Sequence, residues 1–491
     1  MYRSRLAFAL AMAALAAILI PSSLPAQIRF ERAYGGAWTD EGRSVQQTTD
    51  GGYMIAGSTT SFGAGNYDFY LVKTDASGDT LWTKTYGGTG EDEGLAVQQT
   101  SDSGYIVAGY THSFGAGYLD FYLIKTDAHG DTLWTRTFGG TNYDCGFSVQ
   151  QTKDDGYIIA GQTGSFGAGY DDVYLVKTDA SGDTLWTRTF GGDSWDFGSS
   201  VQQTSDGGYI IAGSTYSFGA GGSDAYLIKT DAYGDTSWTR TYGGADYDEG
   251  WSVGLAADSG YMVAGSTASF GAGYRDVYLI RTDASGDTLW TRTYGGSVND
   301  EGWSVQKTGD GGYVIVGTTN SFGAGDSDIY LIRTDATGDT LWTRTYGGAS
   351  DDWGYCVEQT PDGGYVIAGS TYSFGAGLDD LYLIKTDSLG NVAVAEPKAG
   401  PTRAPSLSLT CEPNPFRTRT AISLQLTADS PAELAIFDAS GRCVRTLTVN
   451  RTPCTIWDGT DELGHPLPSG TYFAVLTDSD QYASARVILQ R

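Results

Sequence analysis

Two sets of seven carboxylates recur at an unvarying spacing of 52 residues. Asp40, Asp92, Asp144, Asp196, Asp248, Asp300 and Asp352 form one, and Asp68, Asp120, Asp172, Asp224, Asp276, Asp328 and Asp380 the other. Calcium takes several carboxylate oxygens per ion, and Asp40, Asp68, Asp92, Asp120, Asp144 and Asp172 are its candidate ligands. A residue present in every copy more simply serves the shared fold, by accepting backbone N–H bonds in its loop. Paired carboxylates are also the minimal requirement for glycoside cleavage, although no departure from the repeat marks out one pair. Aromatic side chains stand close by: Tyr67, Tyr118, Tyr170 and Tyr274 before the second set, and Trp38, Tyr143, Trp195 and Tyr247 before the first. Exposed, they would stack on sugar rings or grip peptide segments; otherwise they pack between neighbouring loops. His112, His129 and His465 are scattered, so zinc sites and His-dependent nucleophiles lack their usual parts. No cofactor is expected beyond the candidate Ca2+.

The elements that carry these residues follow from the same period. Ser-Phe-Gly-Ala-Gly begins at Ser61, Ser113, Ser165, Ser217, Ser269, Ser321 and Ser373 with no insertion or deletion between copies, which a closed or stacked array enforces. Each unit holds four short β-branched and aromatic runs separated by Gly, Asp and Ser clusters, leaving no room for a helix of ordinary length. In the first unit strand a is expected at Ser44 to Thr48, b at Tyr53 to Ser58, c at Phe69 to Thr74 and d at Thr80 to Tyr86. Strand b is nearly continuous in apolar residues, as a strand covered on both faces must be. A four-stranded unit of about this length points to a β-propeller. Trp82, Trp134, Trp186, Trp238, Trp290 and Trp342 mark six d strands, and Phe30 occupies the same phase near the amino terminus. The seventh unit supplies a, b and c and then decays, with Val394 in the Trp position. The segment around Phe30 is therefore expected to complete the last blade, which removes the open sheet edges. The fold class is all-β: a seven-bladed propeller over residues 27–394, followed by a small sandwich.

The segment Tyr70-Leu-Val-Lys-Thr-Asp75-Ala-Ser-Gly78-Asp-Thr-Leu-Trp82 resembles the tryptophan-docking repeat of pyrroloquinoline-quinone-type propellers, and the whole unit is similar to propeller repeats of secreted bacterial surface proteins. Quinone dehydrogenases of that class typically have one blade more, a vicinal cysteine pair and a carboxylate-held calcium. This chain has seven units and no adjacent cysteines.

Residues 1–26 read as a secretory signal, with Arg3 and Arg5, an apolar run from Leu6 to Ile20 and a small-residue exit. No other long apolar stretch exists, so no membrane span is expected after cleavage, and the mature chain is expected to be secreted or at the outer cell surface. A net charge of −28 argues against nucleic acid and anionic lipid. Of five cysteines, Cys145 and Cys356 belong to well-separated units. Cys443 and Cys454 are expected on neighbouring strands as a candidate disulfide, with Cys411 left over; alternatively all five are small packing residues.

A Pro-rich linker at 395–405 leads to alternating strands over 406–491, the pattern of a β-sandwich. Pro413-Asn-Pro-Phe416, Asp438-Ala-Ser-Gly-Arg442-Cys-Val-Arg445, Trp457-Asp-Gly459, Gly464 and Pro468-Ser-Gly-Thr-Tyr472-Phe resemble the immunoglobulin-like domain of flagellar hook-capping type and the sorting domain of type IX secretion. That resemblance implies either an export and surface-attachment signal read by the secretion machinery, or a passive module.

In an antiparallel blade the b–c and d–a connections emerge together. They are the longer ones here and hold most of the variation between units, where recognition usually sits. The expected function is non-catalytic binding of a glycan or extracellular protein through that face. The rival expectation is a carbohydrate-active enzyme, a hydrolase or lyase, using loop carboxylates.

Overall fold

The computed structural model describes residues 28–392, 407–426, 433–438, 442–448, 454–478 and 481–491. The signal segment and the linker lie outside the described residues. The chain divides into two compact units, Met1–Val394 and Ala395–Arg491.

The first unit is a seven-bladed β-propeller. In blade 1, strands a to d are Asp40–Gln47, Tyr53–Thr59, Asp68–Thr74 and Thr80–Tyr86, hydrogen-bonded in that order. Blades 2 to 6 repeat the arrangement. Blade 7 takes a, b and c from Asp352–Gln359, Tyr365–Thr371 and Asp380–Thr386, and its fourth strand is Phe30–Tyr34, antiparallel to c with Phe30 opposite Lys385 and Tyr34 opposite Leu381. The expected closure is the one observed.

Strands b and c of blade 1 are buried along their whole length. Seven apolar clusters sit between successive blades, one joining blade 7 to blade 1 through Val366, Leu381, Ile55 and Phe30. Each d-strand Trp docks on the c–d turn of the next blade. A Cβ at Gly130, whose φ is +80°, would lie 2.8 Å from the ring of Trp82, so only glycine allows both the turn and the docking. Phe30 docks on Gly78 in the same way. The Lys or Arg two residues after the first five of these Trp residues pairs with an Asp across the same junction, as Lys84 with Asp131 at 2.9 Å and Arg136 with Asp183 at 3.0 Å.

Strand a differs from expectation: it begins at Asp40, not Ser44, with a bulge between Gly42 and Ser44. Asp-Glu-Gly reads as loop because glycine is poor in strands. Gly42 is instead needed there, since a Cβ would lie 2.9 Å from the Gly369 carbonyl oxygen of blade 7 and 2.7 Å from the Leu381 side chain. The seven a strands contact one another in turn around the ring and so line its axis. Near their ends a ladder of side-chain amides joins them, as where the Gln99 N–H donates to Gln46 Oε1 at 2.6 Å.

The second unit has two sheets, one of Leu407–Glu412, Thr420–Leu426 and Cys454–Trp457, the other of Cys443–Thr448, Glu433–Asp438, Gly470–Asp478 and Gln481–Leu489. They share one core around Trp457, which meets Phe416 at a tilt and Tyr472 edge-on. The expected neighbouring-strand placement of Cys443 and Cys454 is corrected: the two lie in different sheets, and Cys443 is an exposed free thiol. Cys145, Cys356 and Cys411 are also free. Among the described residues no helix is long and apolar enough to cross a membrane.

Candidate functional site

Asp40 and its equivalents open strand a, and Asp68 and its equivalents open strand c, so both carboxylate rings stand at the base of the b–c and d–a loops. One oxygen of each first-set carboxylate is held by its own loop, while Oδ1 of Asp144, Asp196, Asp248 and Asp352 has no hydrogen-bond partner. Asp40 Oδ2 accepts bonds from the Ser61 hydroxyl and the Gly36 N–H, both at 2.7 Å, and Oδ1 accepts from the Thr59 hydroxyl. Asp92 binds Thr111, Ser113 and Gly88 alike, and Asp144 binds Ser165 and Gly140. Asp68 Oδ2 accepts the N–H groups of Ala64 and Gly65 at 2.8 and 2.9 Å, and Asp120 and Asp172 repeat this. Burial pushes the Asp172 carboxyl up against the pull of its loop N–H bonds. Among the described residues, no group of three or more His, Cys, Asp or Glu is placed to hold a metal ion. The geometry carries the fold-serving role of these residues.

The aromatic residues divide. Tyr118, in the b–c loop of blade 2, stacks on Tyr143 in the connection to blade 3 at 5.5 Å and 11°. Tyr170 stacks on Trp195 at 4.8 Å and 20° one junction further on. Tyr216 then bridges Trp195, Phe197 and Tyr247 at 6.1 to 6.3 Å. These rings form an arc over blades 2 to 5, and Tyr118, Tyr143, Tyr170, Trp195 and Tyr247 remain exposed along it. The rings pack against neighbouring loops and still offer edges and faces to solvent. Tyr274 and Trp38 are also exposed, but pair with no other ring among the described residues. Trp38 and Tyr67 are one position out of phase with the other members of their sets. Tyr67 occupies the position of Leu119, Asp171, Arg275 and Asp379, where the b–c loop bridges the following d–a connection. It is half-buried, and burial together with Glu41 and Glu93 raises its phenol.

That position leads to groups the sequence reading missed. The second and fourth residues of each a strand break the repeat: Glu41, Glu93, Cys145, Phe197, Glu249, Glu301 and Trp353, then Arg43, Leu95, Phe147, Ser199, Trp251, Trp303 and Tyr355. Arg43 pairs with Glu41 and lies 4.2 Å over the Tyr355 ring, from which Trp303 and Trp251 continue at 5.9 and 4.7 Å. Arg275 spans Glu249 at 2.7 Å and Glu301 at 3.8 Å. Burial raises Glu93, against a hydrogen bond from Tyr110. The signal was available as departure from the repeat, but it fell in residues read as loop.

Asp379 is the extreme case. It is 1% exposed, and its Oδ1 has no hydrogen-bond partner. Burial, and after it the Glu41 carboxylate, push its carboxyl up to about 8 against the opposing pull of Arg43. Between the ordinary carboxylate value and about pH 8 the folded chain keeps a proton that the unfolded chain has lost, so stability falls as pH rises through that window. Asp379→Asn has the same shape and no charge. Its melting temperature is expected to exceed the parent's by several degrees at pH 8 and to match it at pH 4; equal melting of the two chains at pH 8 would contradict this account.

Residues 414–481 match the FlgD Ig-like domain family. A curated relative, Regulatory protein FlaEY of Caulobacter vibrioides, is 28% identical in an alignment of 257 residues that covers 45% of this chain and 26% of that protein. The chain thus spans about a quarter of the length of the curated relative it matches. Among solved structures, PorZ of Porphyromonas gingivalis, described as an essential bacterial surface component of the type-IX secretion system, is similar at 11% identity with a TM-score of 0.40, over 93% of this chain and 60% of that one. Sqt1 from Chaetomium thermophilum is similar at 12% identity with a TM-score of 0.42, over 69% of this chain and 83% of that one.

Proposed function

We propose that this chain is a secreted or cell-surface binding module that acts without catalysis, its propeller recognising a glycan or an extracellular protein through the b–c and d–a face. The observation that supports it is the aromatic arc from Tyr118 to Tyr247, held on rigid blades beside carboxylates. Flat rings with exposed faces match pyranose rings, and rings fixed in stacked pairs lose little freedom on binding. The glycan is the favoured ligand. The Ig-like tail would serve export and attachment, a reading that rests on its motifs and on the signal-like pattern of residues 1–26.

A glycan array probed with the full chain is expected to give hits whose sugars are recovered unchanged. Trp195→Ala, which removes the most connected ring of the arc, is expected to weaken the best hit about 30-fold, corresponding to about 2 kcal/mol. Unchanged affinity, or an array without hits alongside capture of a purified surface protein, would replace the glycan reading.

A second reading, a carbohydrate-active enzyme, is favoured by one observation: the buried Asp379, whose carboxyl is pushed up by burial and then by the nearby Glu41, offers with Glu41 the two carboxyl groups that glycoside cleavage minimally needs. Released product that disappears in Asp379→Asn would establish it.

A further inference from the structure

One junction of the propeller is built unlike the rest, on the face opposite the aromatic arc. At four junctions the first N–H of an a–b turn is capped by a glutamine from the next blade's a strand. The Gln99, Gln151, Gln203 and Gln359 amide oxygens accept from the N–H groups of Thr49, Ser101, Lys153 and Gly309 at 2.8 to 3.0 Å. Between blades 4 and 5, Leu255 stands in the glutamine position, so Ser205 N–H loses that acceptor; Lys307 stands there between blades 5 and 6, and Pro361 offers no N–H between blades 7 and 1. Two more residues shrink at the same place. Ala256 replaces a threonine found in the other six a–b turns, and Ser237 replaces a leucine found in the other five complete d strands. All three line a cavity of about 560 Å³, together with Ser205, Trp238 and the Lys229–Asp206 pair. That volume lies within the range of small-molecule sites.

We propose that this cavity binds an N-acetylhexosamine, with its acetamido group in the place that glutamine carboxamides fill at four other junctions. The chain itself supplies the template: a planar amide whose carbonyl oxygen meets the turn N–H. An acetamido carbonyl satisfies Ser205 N–H, and its methyl group meets Leu255 and Ala256. The remaining wall suits a neutral polyol. Lys229 is almost buried and its charge is matched by Asp206 at 3.0 Å, while the Asp206 carboxylate stays 63% exposed to accept sugar hydroxyls. The Ser237 hydroxyl, in the space a leucine leaves, adds a further partner. An anionic ligand would meet a carboxylate, and a purely apolar one would leave Ser205, Ser237 and Asp206 unmatched. The site lies away from the loop face and does not rest on the reading of that face.

The test is a titration of the full chain with N-acetylglucosamine, followed by saturation-transfer NMR and calorimetry, with glucose as comparison. Expected is saturation strongest at the acetamido methyl and no response to glucose at equal concentration. Leu255→Gln restores the residue found in five other a strands and Ser237→Leu that of the five other complete d strands, so both are expected to keep the parent melting temperature while weakening N-acetylglucosamine at least tenfold. Absence of binding to the parent chain, an equal response to glucose, or affinity unchanged in both variants would overturn the proposal. So would binding that survives Leu255→Gln but is lost in Trp195→Ala, which would belong to the loop face, or preference for N-acetylglutamine amide over the sugar, which would make the site a peptide pocket.

Discussion

A chain that begins at Gly35 is expected to lose the single cooperative unfolding transition of the propeller. It would lack the whole of Phe30–Tyr34, leaving strand c of blade 7 without its outer neighbour and blade 1 without a docking residue. Phe30 is 4% exposed, meets Tyr53 edge-on at 5.8 Å and covers Gly78. Phe30→Ala alone should therefore cost about 4 kcal/mol, the usual range for truncating a buried phenylalanine. Tyr34→Phe is the internal control. It removes only the hydroxyl that donates to the Gly78 carbonyl at 2.6 Å, worth about 1 kcal/mol, and the chain already carries Phe138 and Phe190 at that phase. Chemical denaturation followed by tryptophan fluorescence separates these outcomes. A truncated chain with the parent's midpoint and slope would refute the closure argument.

Gly57→Ala is expected to be nearly as damaging, although it adds one methyl group. A Cβ at Gly57 would stand 1.7 Å from the Glu41 carbonyl oxygen, which is backbone in the neighbouring strand and cannot rotate away. The six equivalent glycines meet the same obstruction at 1.7 to 1.9 Å. Strand a would have to move off strand b, breaking pairs on both sides of the bulge at Gly42 and Ser44, at a cost of about 3 kcal/mol or more. Because Glu41 sits on the strand that moves, Asp379 should also lose the part of its raised proton affinity that Glu41 supplies. The measurement is the melting temperature at pH 4 and pH 8. A variant that melts like the parent at both would show that the strand yields without cost.

Much of this architecture was legible because the repeat is strict. Four β runs per unit, an apolar strand b buried on both faces, and Phe30 in tryptophan phase were each readable from residue type and spacing, and all led to the ring. The start of strand a was not legible. Asp40-Glu41-Gly42 has the composition of a turn, and the reason for Gly42 is a carbonyl and a side chain from a blade more than three hundred residues away. The axial groups were hidden for the same reason, since residues assigned to a loop are not searched for a lining. The loop aromatics were visible as residue types, but stacking depends on which junction they share. Tyr118 and Tyr143 are partners across a junction, whereas Trp38 and Tyr67, one position off, are not in that arrangement. The cavity at Leu255 required knowing that the glutamines of the other blades reach across junctions, which no single repeat discloses.

The closing strand also sets an order of events. Glu31 and Tyr382, joined by a hydrogen bond of 3.0 Å, are 351 residues apart, and bringing such distant segments together costs about 5 kcal/mol in loop entropy. As the polypeptide is synthesised, its first-made strand must therefore wait unmated until strand c of blade 7, Asp380–Thr386, has emerged, and only then can the circle close.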